Sequence, residues 1–303
     1  MDYFKIKIKS SSPFLSPWQV DTIFGHLCWA VIREQGEEGF KEFIKPFLEG
    51  DPPFLISNGF PKDLLPIPLS AFQLLPEKEE KLKKKLKKIS FVDQKTFEEI
   101  INAQTWEPSE NKAPENPFSY FTTAHASISR LTNTTSEGGQ FFEQEEYILK
   151  EDYLTIYLKA KPGWDQLIDK LFKIIAQTGY GAKKSIGKGN IQYLGIEKFN
   201  LPKIENPNGF VSISNFVPAS NDPTKGLYKI LVKYGKLGEE LARSGNPFKK
   251  PLIMLEAGAC FENNNGPKEF YGKMITDMDY INLGVVQYAF AFPIPIKMPE
   301  INT

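Results

Sequence analysis

The sequence has little of the side-chain chemistry on which metal and redox sites depend. Its 303 residues include only two cysteines and two histidines. Cys28 and Cys260 are far apart and form no CxxC pair, and neither an HExxH motif nor a cysteine cluster is present, so a zinc site is not expected. We therefore predict no metal and no other cofactor.

Long apolar runs and an excess of one charge are also missing. No uncharged stretch approaches the roughly 18 apolar residues that a membrane helix needs. Thirty-seven Lys and Arg residues balance thirty-seven Asp and Glu residues, so any binding of nucleic acid must depend on a local basic patch. Lone cysteines and the absence of a signal-peptide pattern at residues 1–5 predict a reducing cytoplasm as the location.

What is present is the pattern of an α+β protein. Residues 3–9 and 153–160 alternate like strands, and 190–199 are predicted to form another strand. A helix is expected to begin at Ser16, with this serine as its N-cap and Pro17 in the first turn. The order strand, helix, then strand, helix, strand is typical of a split βαβ, ferredoxin-like domain. Apolar stripes at helical spacing occur at Val20, Ile23, Phe24, Leu27, Cys28 and Val31 and at Trp164, Leu167, Ile168, Leu171, Phe172 and Ile175.

The length favours two domains. The first is predicted to span residues 1–200 and to contain a long, proline-rich and irregular insertion at 50–150. After a proline-rich connection at 202–224, the second is predicted to be strand-rich and to end at 303. A short strand near Val211 and a short helix near 237–243 are expected there.

The segment 178–190, TGYGAKKSIGKGN, combines four glycines with three lysines. It is not a Walker A loop, because five residues separate Gly181 from Gly187 and Gly189 follows Lys188. The dinucleotide pattern also fails, since Lys184 stands where a third glycine is required. Neither nucleotide-binding fold is predicted.

A glycine-rich loop of this kind suits an extended polyanion. Glycine permits positive φ and close approach of another chain, so successive N–H groups can point at phosphate oxygens. Lys183, Lys184 and Lys188 add positive charge, and Ser185 adds a neutral donor. The alternative interpretation is a mobile glycine turn with solvated lysines.

Four stretches resemble, in the same order, one family of CRISPR proteins. The segment 178–190 looks like the glycine-rich loop that follows the last helix of a ferredoxin-like domain in the RAMP superfamily. WQVDTIFGHLCWAVI, FLISNGFPKDLLPIPL and HASISRLTNTTSEGGQFFEQEEY are similar to the Cas-five-like subunit (Csm subunit four) of type III-A Csm complexes. Together the matches span most of residues 1–198, whereas 200–303 resemble the family only in their strand-rich pattern.

The resemblance implies two ferredoxin-like (RRM-like) domains in tandem and a noncatalytic role in antiviral defence. Members of the family bind the 5′ handle of the CRISPR RNA. They lie at the foot of the effector complex beside the large polymerase-like subunit and an adjacent RAMP backbone subunit. The expected partners are therefore the CRISPR RNA and these two subunits.

Candidate RNA-binding residues come from three places. One face of the first helix carries polar residues at helical spacing, the region 125–147 offers hydroxyls and an arginine that can fork onto phosphate, and the glycine loop supplies the rest. They are Thr22, His26 and Arg33; Ser127, Arg130 and Thr132; and Gly179, Gly181, Lys183, Lys184, Ser185, Gly187, Lys188 and Gly189.

Other interpretations stay open at this stage. His26 could act as general acid or base in a metal-independent RAMP endoribonuclease that processes CRISPR RNA. The chain could also bind protein only, with RNA held by its neighbours. Trp29 should be covered by the second domain, by RNA or by a partner. The lysine run 81–88 is expected to be a solvated face with a packed apolar edge.

Overall fold

The structure, a computed structural model, covers most of the chain. It describes residues 1–75, 83–84, 86–106, 111–114, 116–126, 128–129, 131–132, 134, 141–201, 203–243, 245–263, 265–281 and 283–299.

The first half contains all three α-helices of the described residues. The helices are α1 (Val20–Leu48), α2 (Gln94–Ile101) and α3 (Trp164–Thr178). The strands are β1 (Asp2–Ser10), β2 (Phe54–Pro61), β3 (Leu65–Pro66), β4 (Phe91–Val92), β5 (Phe118–Ala126), β6 (Phe141–Leu149), β7 (Leu154–Ala160) and β8 (Ile191–Lys198).

A four-stranded sheet with the order β2-β7-β1-β8 forms the base of this half. Each neighbouring pair is antiparallel, with Ile6 of β1 opposite Ile156 of β7 on one side and Ile196 of β8 on the other. α1 connects β1 to β2, and α3 connects β7 to β8. The predicted succession of strands and core helices is therefore present.

Both apolar stripes face the core, as predicted. Ile23, Leu27, Ile168 and Leu171 are at most 1% exposed. The start of the first helix, however, was predicted wrongly. α1 begins at Val20, its N-cap residue is Gln19, and the Gln19 side chain makes no capping hydrogen bond. The hydroxyl of Ser16 is instead the acceptor for the backbone N–H of Ala182.

The segment 50–150 was predicted to be irregular, and that prediction is wrong for much of it. β2 belongs to the main sheet, where Ile56 lies opposite Leu158. α2 has a regular N-cap, since the Asp93 carboxylate accepts a hydrogen bond from the N–H of Thr96. β5 and β6 form a long antiparallel hairpin. Proline content was misleading here, because the prolines lie mostly between these elements.

The second half is built from short strands, as predicted. They are β9 (Gly209–Ser212), β10 (Gly226–Leu227), β11 (Ile230–Lys233), β12 (Leu252–Leu255), β13 (Cys260–Glu262), β14 (Tyr271–Ile275), β15 (Gln287–Ala291) and β16 (Pro293–Ile296). One sheet has the order β10-β13-β9-β16, and β11 pairs with β12 and β14 with β15. A single 3-10 turn, Glu239–Arg243, occupies the place of the expected short helix.

The larger of two hydrophobic clusters runs through both halves, and a smaller one around Phe210 and Phe261 lies within the second half. Phe24 of α1 packs against Phe54 of β2 on one side and against Tyr288 of β15 on the other, with ring centroids 6.2 and 4.7 Å apart. α1 is thus covered by the first sheet and by the second half. It is interrupted at Gly36, whose φ of 73° takes the backbone out of helical geometry.

Candidate functional site

The glycine loop, residues 179–190, lies between α3 and β8 and packs onto the segment 11–18. The N–H of Gly189 donates to the carbonyl of Pro13, and that of Ser11 donates to Asn190, both at 2.9 Å. The loop is therefore anchored on both sides by backbone hydrogen bonds. Such a connection is held more rigidly than a free glycine turn.

Tyr180 is the aromatic centre of this anchor. Its ring stacks on Trp18 at a centroid distance of 3.6 Å and an interplanar angle of 5°. Its hydroxyl donates to the carbonyl of Pro17 at 2.8 Å and also bonds the side chain of Thr22. The candidate residue Thr22 thus contacts the loop from α1.

The loop glycines meet different needs. All four have positive φ, from 67° to 84°. A Cβ on Gly189 would lie 1.8 Å from the carbonyl oxygen of Tyr180, and one on Gly181 would lie 2.8 Å from Cβ of Ser16. A Cβ on Gly187 would meet nothing within 4 Å. Gly181 and Gly189 therefore serve close packing within this chain, and Gly187 lies at the open surface.

His26 contacts the loop through its ring. Its Nε2 accepts a hydrogen bond from the N–H of Gly181 at 2.9 Å, and the ring lies 4.8 Å from that of Tyr180. Burial, together with the positive charges of Lys184 and Arg33, lowers the pKa of His26 to about 3, against the opposing effect of Glu239. At neutral pH the imidazole is uncharged and its Nε2 lone pair is already used.

Glu239 of the second half joins two predicted RNA-binding residues. Its carboxylate pairs with Lys184 of the loop and, at 2.8 Å, with Arg33 of α1. Burial alone would raise the pKa of Glu239, but the hydrogen bond and charge of Lys184 and the charge of Arg33 hold it below its ordinary value. Lys184 and Arg33 thus share one carboxylate.

Lys188 binds a second carboxylate. Its Nζ lies 2.6 Å from Oε2 of Glu146, a β6 residue whose side chain has no exposed surface. His125 of β5 lies 3.9 Å from the same carboxylate. This pair ties the loop to the hairpin, which also bridges to the segment 11–18 through reciprocal backbone hydrogen bonds between Phe14 and Tyr147.

The middle of the loop is its exposed part. Ser185, Ile186 and Gly187 are exposed, whereas Lys183, Lys184 and Lys188 are partly buried. Lys183 precedes the 3-10 turn Lys184–Ile186 with a φ of 58°, a conformation that non-glycine residues adopt infrequently. The exposed crest of the loop, residues 185–187, therefore offers a hydroxyl and backbone groups that are flanked by lysines.

The predicted residues of the hairpin region are separate from this cluster in the described part of the structure. Thr132 is exposed and its hydroxyl lies 2.9 Å from that of Thr134. Ser127 and Arg130 lie outside the described residues. β5 and β6 flank these positions and pair as an antiparallel hairpin.

The second half of the chain covers the polar face of α1. Trp29 was expected to be covered by the second domain, by RNA or by a partner, and the structure shows the first of these. The Nε1 atom of Trp29 lies 3.4 Å from the position that a Cβ on Gly238 would take. At the start of the helix, the buried Asp21 accepts hydrogen bonds from Lys233 at 3.0 Å and from Gln287 at 2.7 Å. Contacts between the halves thus account for this face.

Sequence patterns did not reveal the two carboxylates at this site. Glu146 and Glu239 lie 42 and 55 residues from their lysine partners; Glu146 belongs to the stretch 125–147 but nothing in that stretch distinguishes it, and no motif marks Glu239. The aromatic residues of the site could have been found from the sequence, because Trp18 and Tyr180 each lie inside a stretch that resembles the family. Only the fold shows that these stretches meet.

Other kinds of site find little support in the described residues. No group of three or more His, Cys, Asp or Glu side chains there is arranged to hold a metal ion. Burial raises the pKa of the Cys28 thiol to about 12 and that of Cys260 to about 11, so both are poor nucleophiles. Among the described helices, none has the length and apolar character to cross a membrane.

Comparison with known proteins adds structural relatives. No protein-family model matches the sequence, and no curated protein matches it. A chain of the crystal structure of the Csm1–Csm4 cassette in complex with cA4 superposes with a TM-score of 0.65 at 19% identity, covering 99% of this chain and 100% of the other. The same cassette in complex with AMPPNP gives 0.63 at 19% identity, with the same coverage.

A second kind of assembly also contains a structural relative. A chain of the Csm3–Csm4 subcomplex of the type III-A CRISPR-Cas interference complex superposes with a TM-score of 0.61 at 15% identity, covering 98% of this chain and 100% of the other. Csm4 is common to these complexes. Over essentially its whole length, the chain therefore shares the fold of the chains superposed from these complexes.

Proposed function

We propose that the protein is a noncatalytic, cytoplasmic RNA-binding subunit of a type III-A CRISPR interference complex in antiviral defence. In this role it recognises the 5′ handle of the CRISPR RNA and anchors the large polymerase-like subunit beside an adjacent RAMP backbone subunit. The observation that carries the proposal is the full-length likeness of its fold to chains of Csm1–Csm4 and Csm3–Csm4 complexes. A tandem ferredoxin-like organisation is part of the proposal, supported in the first half by the sheet order β2-β7-β1-β8.

The crest of the glycine loop is the surface that we assign to the RNA backbone. Ser185 and Gly187 are exposed there, and Gly187 leaves room for close approach. Specific binding of single-stranded RNA uses splayed bases and contacts to phosphate and 2′-hydroxyl groups, which suit an exposed hydroxyl and flanking lysines. The anchor on 11–18 presents this crest in one conformation.

Electrostatics set how the lysines would act. Lys184 and Lys188 are paired with Glu239 and Glu146, so a phosphate must share or replace a carboxylate partner. Removal of the Glu239 charge should then strengthen RNA binding, because Lys184 and Arg33 would lose the competing anion. The hypothesis that the loop binds RNA can therefore be tested by a substitution that should increase RNA affinity.

A noncatalytic role is favoured by the state of His26. Its Nε2 is hydrogen-bonded to the loop backbone, and its pKa of about 3 leaves no proton to donate near neutral pH. General acid–base catalysis requires a pKa near the working pH and a free ring nitrogen within reach of the substrate. We therefore assign His26 to positioning the loop.

The deciding experiment measures binding of a synthetic RNA with the CRISPR 5′ handle to reconstituted complexes, by fluorescence anisotropy over a salt series. The loop variant carries Lys183→Ala, Lys184→Ala and Lys188→Ala, and its matched control replaces the distant Lys41, Lys45 and Lys95 by alanine. Three lost phosphate contacts should reduce the logarithmic salt slope by roughly 2. Glu239→Gln should bind more tightly than wild type.

Several outcomes would contradict the proposal. An unchanged slope in a folded loop variant would remove the phosphate role of the loop and favour a subunit that binds protein only. Loss of RNA binding by the control triple variant would show a nonspecific charge effect. Metal-independent cleavage by wild type that disappears in His26→Ala would make the protein a processing endoribonuclease.

A further inference from the structure

The ribbon formed by β11 and β12 has an apolar outer face. β11 and β12 pair in antiparallel register, with Val232 opposite Ile253, and the ribbon continues to a bridge between Lys236 and Phe248. Side chains on β11 alternate in exposure. The exposed part of the outer face consists of Ile230, Val232, Tyr234, Phe248 and Ile253, which are 60, 47, 77, 58 and 62% exposed, whereas Leu255, opposite Ile230 on the same face, is 8% exposed.

The inner face of the ribbon points toward the body of the protein. Met254 is fully buried, and Lys233 extends to Asp21 and Gln19 at the start of α1. Because side chains alternate along a strand, the outer face points away from α1 and from the glycine loop that packs on it.

The polarity of the ribbon is unusual for a strand exposed to water. An antiparallel strand with one solvated face normally places polar residues on that face. Here Ile230, Val232 and Tyr234 occupy it, and nothing in the described part of the chain covers them. Contiguous exposed apolar patches rimmed by polar residues mark interaction sites.

The rim of the outer face is basic. Lys229, Lys236 and Lys250 are exposed, and no ion pair between described residues joins any of them to a carboxylate. Lys236 lies 5.9 Å from the ring centroid of Phe248. Glu256, whose N–H donates to the carbonyl of Lys229, is an acidic neighbour of this rim, and the three lysines complement a partner with carboxylates around an apolar centre.

The centre of the patch favours protein over RNA. Ile230, Val232 and Ile253 have no π-face on which a base could stack, and stacking is what binds single-stranded nucleic acid to an exposed sheet. Aliphatic side chains flanked by aromatic ones are typical of the buried centre of a protein interface. A protein surface is thus the better match.

We propose that the outer face of the β11–β12 ribbon docks the large polymerase-like subunit, through an apolar surface of that subunit rimmed by carboxylates. The proposal rests on the proposed function, which supplies the set of partners. A backbone neighbour that shares one continuous RNA with this chain must adjoin the glycine loop. The outer face points away from that loop. It therefore suits the large subunit better than the adjacent RAMP subunit, which would bind the next part of the same RNA.

The test uses tagged wild-type protein co-expressed with the large subunit, the adjacent RAMP subunit and CRISPR RNA. The double variant Val232→Glu, Ile253→Glu places two negative charges in the centre of the patch. Its matched control is Leu194→Glu, an exposed leucine on β8 that is 46% exposed. The double variant should bind the large subunit at least roughly tenfold more weakly, while RNA and the RAMP subunit are retained as in the control.

A charge reversal covers the case in which the double variant does not fold. Lys236→Glu with Lys250→Glu changes the rim alone and should weaken binding of the large subunit several-fold, with stronger salt sensitivity in wild type than in the variant. Circular dichroism and thermal midpoints establish that each variant is folded. Unchanged binding by both folded patch variants would overturn the inference.

The remaining outcomes identify other occupants. The inference would be overturned if the double variant lost only the adjacent RAMP subunit or only the RNA. It would also be overturned if wild type formed a dimer and the double variant were monomeric, because the face would then bind a second copy of this chain. These results leave the proposed function intact if wild type still assembles. Failure of wild type to bind either RNA or the large subunit would instead overturn the proposed function itself.

Discussion

Single residues of the glycine loop owe their identity to different neighbours. Gly189 cannot accept a Cβ because the carbonyl of Tyr180 occupies that space, whereas Gly187 faces open space at a similar φ. His26 is equally specific in its role, since its ring nitrogen accepts the N–H of Gly181. Composition alone treats these glycines as equivalent, but their surroundings separate them into packing and surface positions.

Gly189→Ala should be much more destabilising than Gly187→Ala. Both substitutions place alanine at positive φ, which costs roughly 1–2 kcal/mol. Gly189→Ala must also displace the Tyr180 carbonyl, at a further cost of roughly 1–3 kcal/mol. Urea unfolding at matched protein concentration measures the difference, and equal midpoints for the two variants would contradict the packing that we describe.

The pH dependence of stability should carry a contribution from His26. Its folded-state pKa is about 3, below the ordinary value near 6.5, so the unfolded chain takes up a proton that the folded protein does not. The contribution is complete above pH 6.5 and is lost as the pH falls toward 3. Between pH 7 and 5.5 the free energy of unfolding of wild type should fall by about 1 kcal/mol more than that of His26→Gln, as measured by urea titration. Parallel pH profiles would refute this role.

At the scale of elements, the loop is held by carboxylates from distant parts of the chain. Glu146 belongs to the β5–β6 hairpin and Glu239 to the 3-10 turn of the second half. The loop therefore forms a junction between α1, the hairpin and the second half. Any ligand that binds the loop lysines will be coupled to the positions of these elements.

The pair of Lys188 with Glu146 should be strongly coupled. Lys188→Ala leaves a carboxylate without exposed surface and without its lysine, and we expect a loss of about 2 kcal/mol. In Lys188→Ala, Glu146→Gln much of that loss should be recovered, giving a coupling energy of about 1 kcal/mol or more by thermal unfolding. The exposed pair of Lys41 with Glu38 is the control, where Lys41→Ala should leave the thermal midpoint nearly unchanged because solvent screens this ion pair.

At the scale of the whole molecule, the larger hydrophobic cluster extends through both halves, and the second half has a smaller cluster of its own. Phe24 and Phe47 of α1 contact Tyr288 and Phe290 of β15, as well as Phe54 of the first sheet. Removal of the second half would expose these rings. The two halves are therefore expected to depend on each other for folding, while their tandem ferredoxin-like organisation stays a prediction.

Unfolding should be a single cooperative transition. All four tryptophans lie in the first half, so tryptophan fluorescence reports that half, whereas far-ultraviolet circular dichroism reports both. The two probes should give coincident urea transitions. A fragment of residues 1–200 should bind a hydrophobic dye. Two separated transitions, or a stable fragment with no dye binding, would show independent domains.

Much of the architecture could be predicted from local patterns. The strand at 3–9, both core helices and the strand-rich second half appear because strand alternation and helical spacing are properties of consecutive residues. The irregular insertion at 50–150 was predicted wrongly in large part, because β2 is buried on both faces and shows no alternation. Ser16 was misassigned as a cap because its hydroxyl bonds a residue 166 positions away.

By itself, the sequence determined the first strand, the two core helices and the strand-rich second half, and it singled out the loop, since glycine, lysine and apolar spacing act over a few residues. The tertiary structure alone decided what those residues touch. Gly181 meets His26 and Ser16, Lys184 meets Glu239, and the outer face of the β11–β12 ribbon is left uncovered. Such pairings depend on how distant segments pack, because the energy of a contact is set by distance in space and not by separation along the chain.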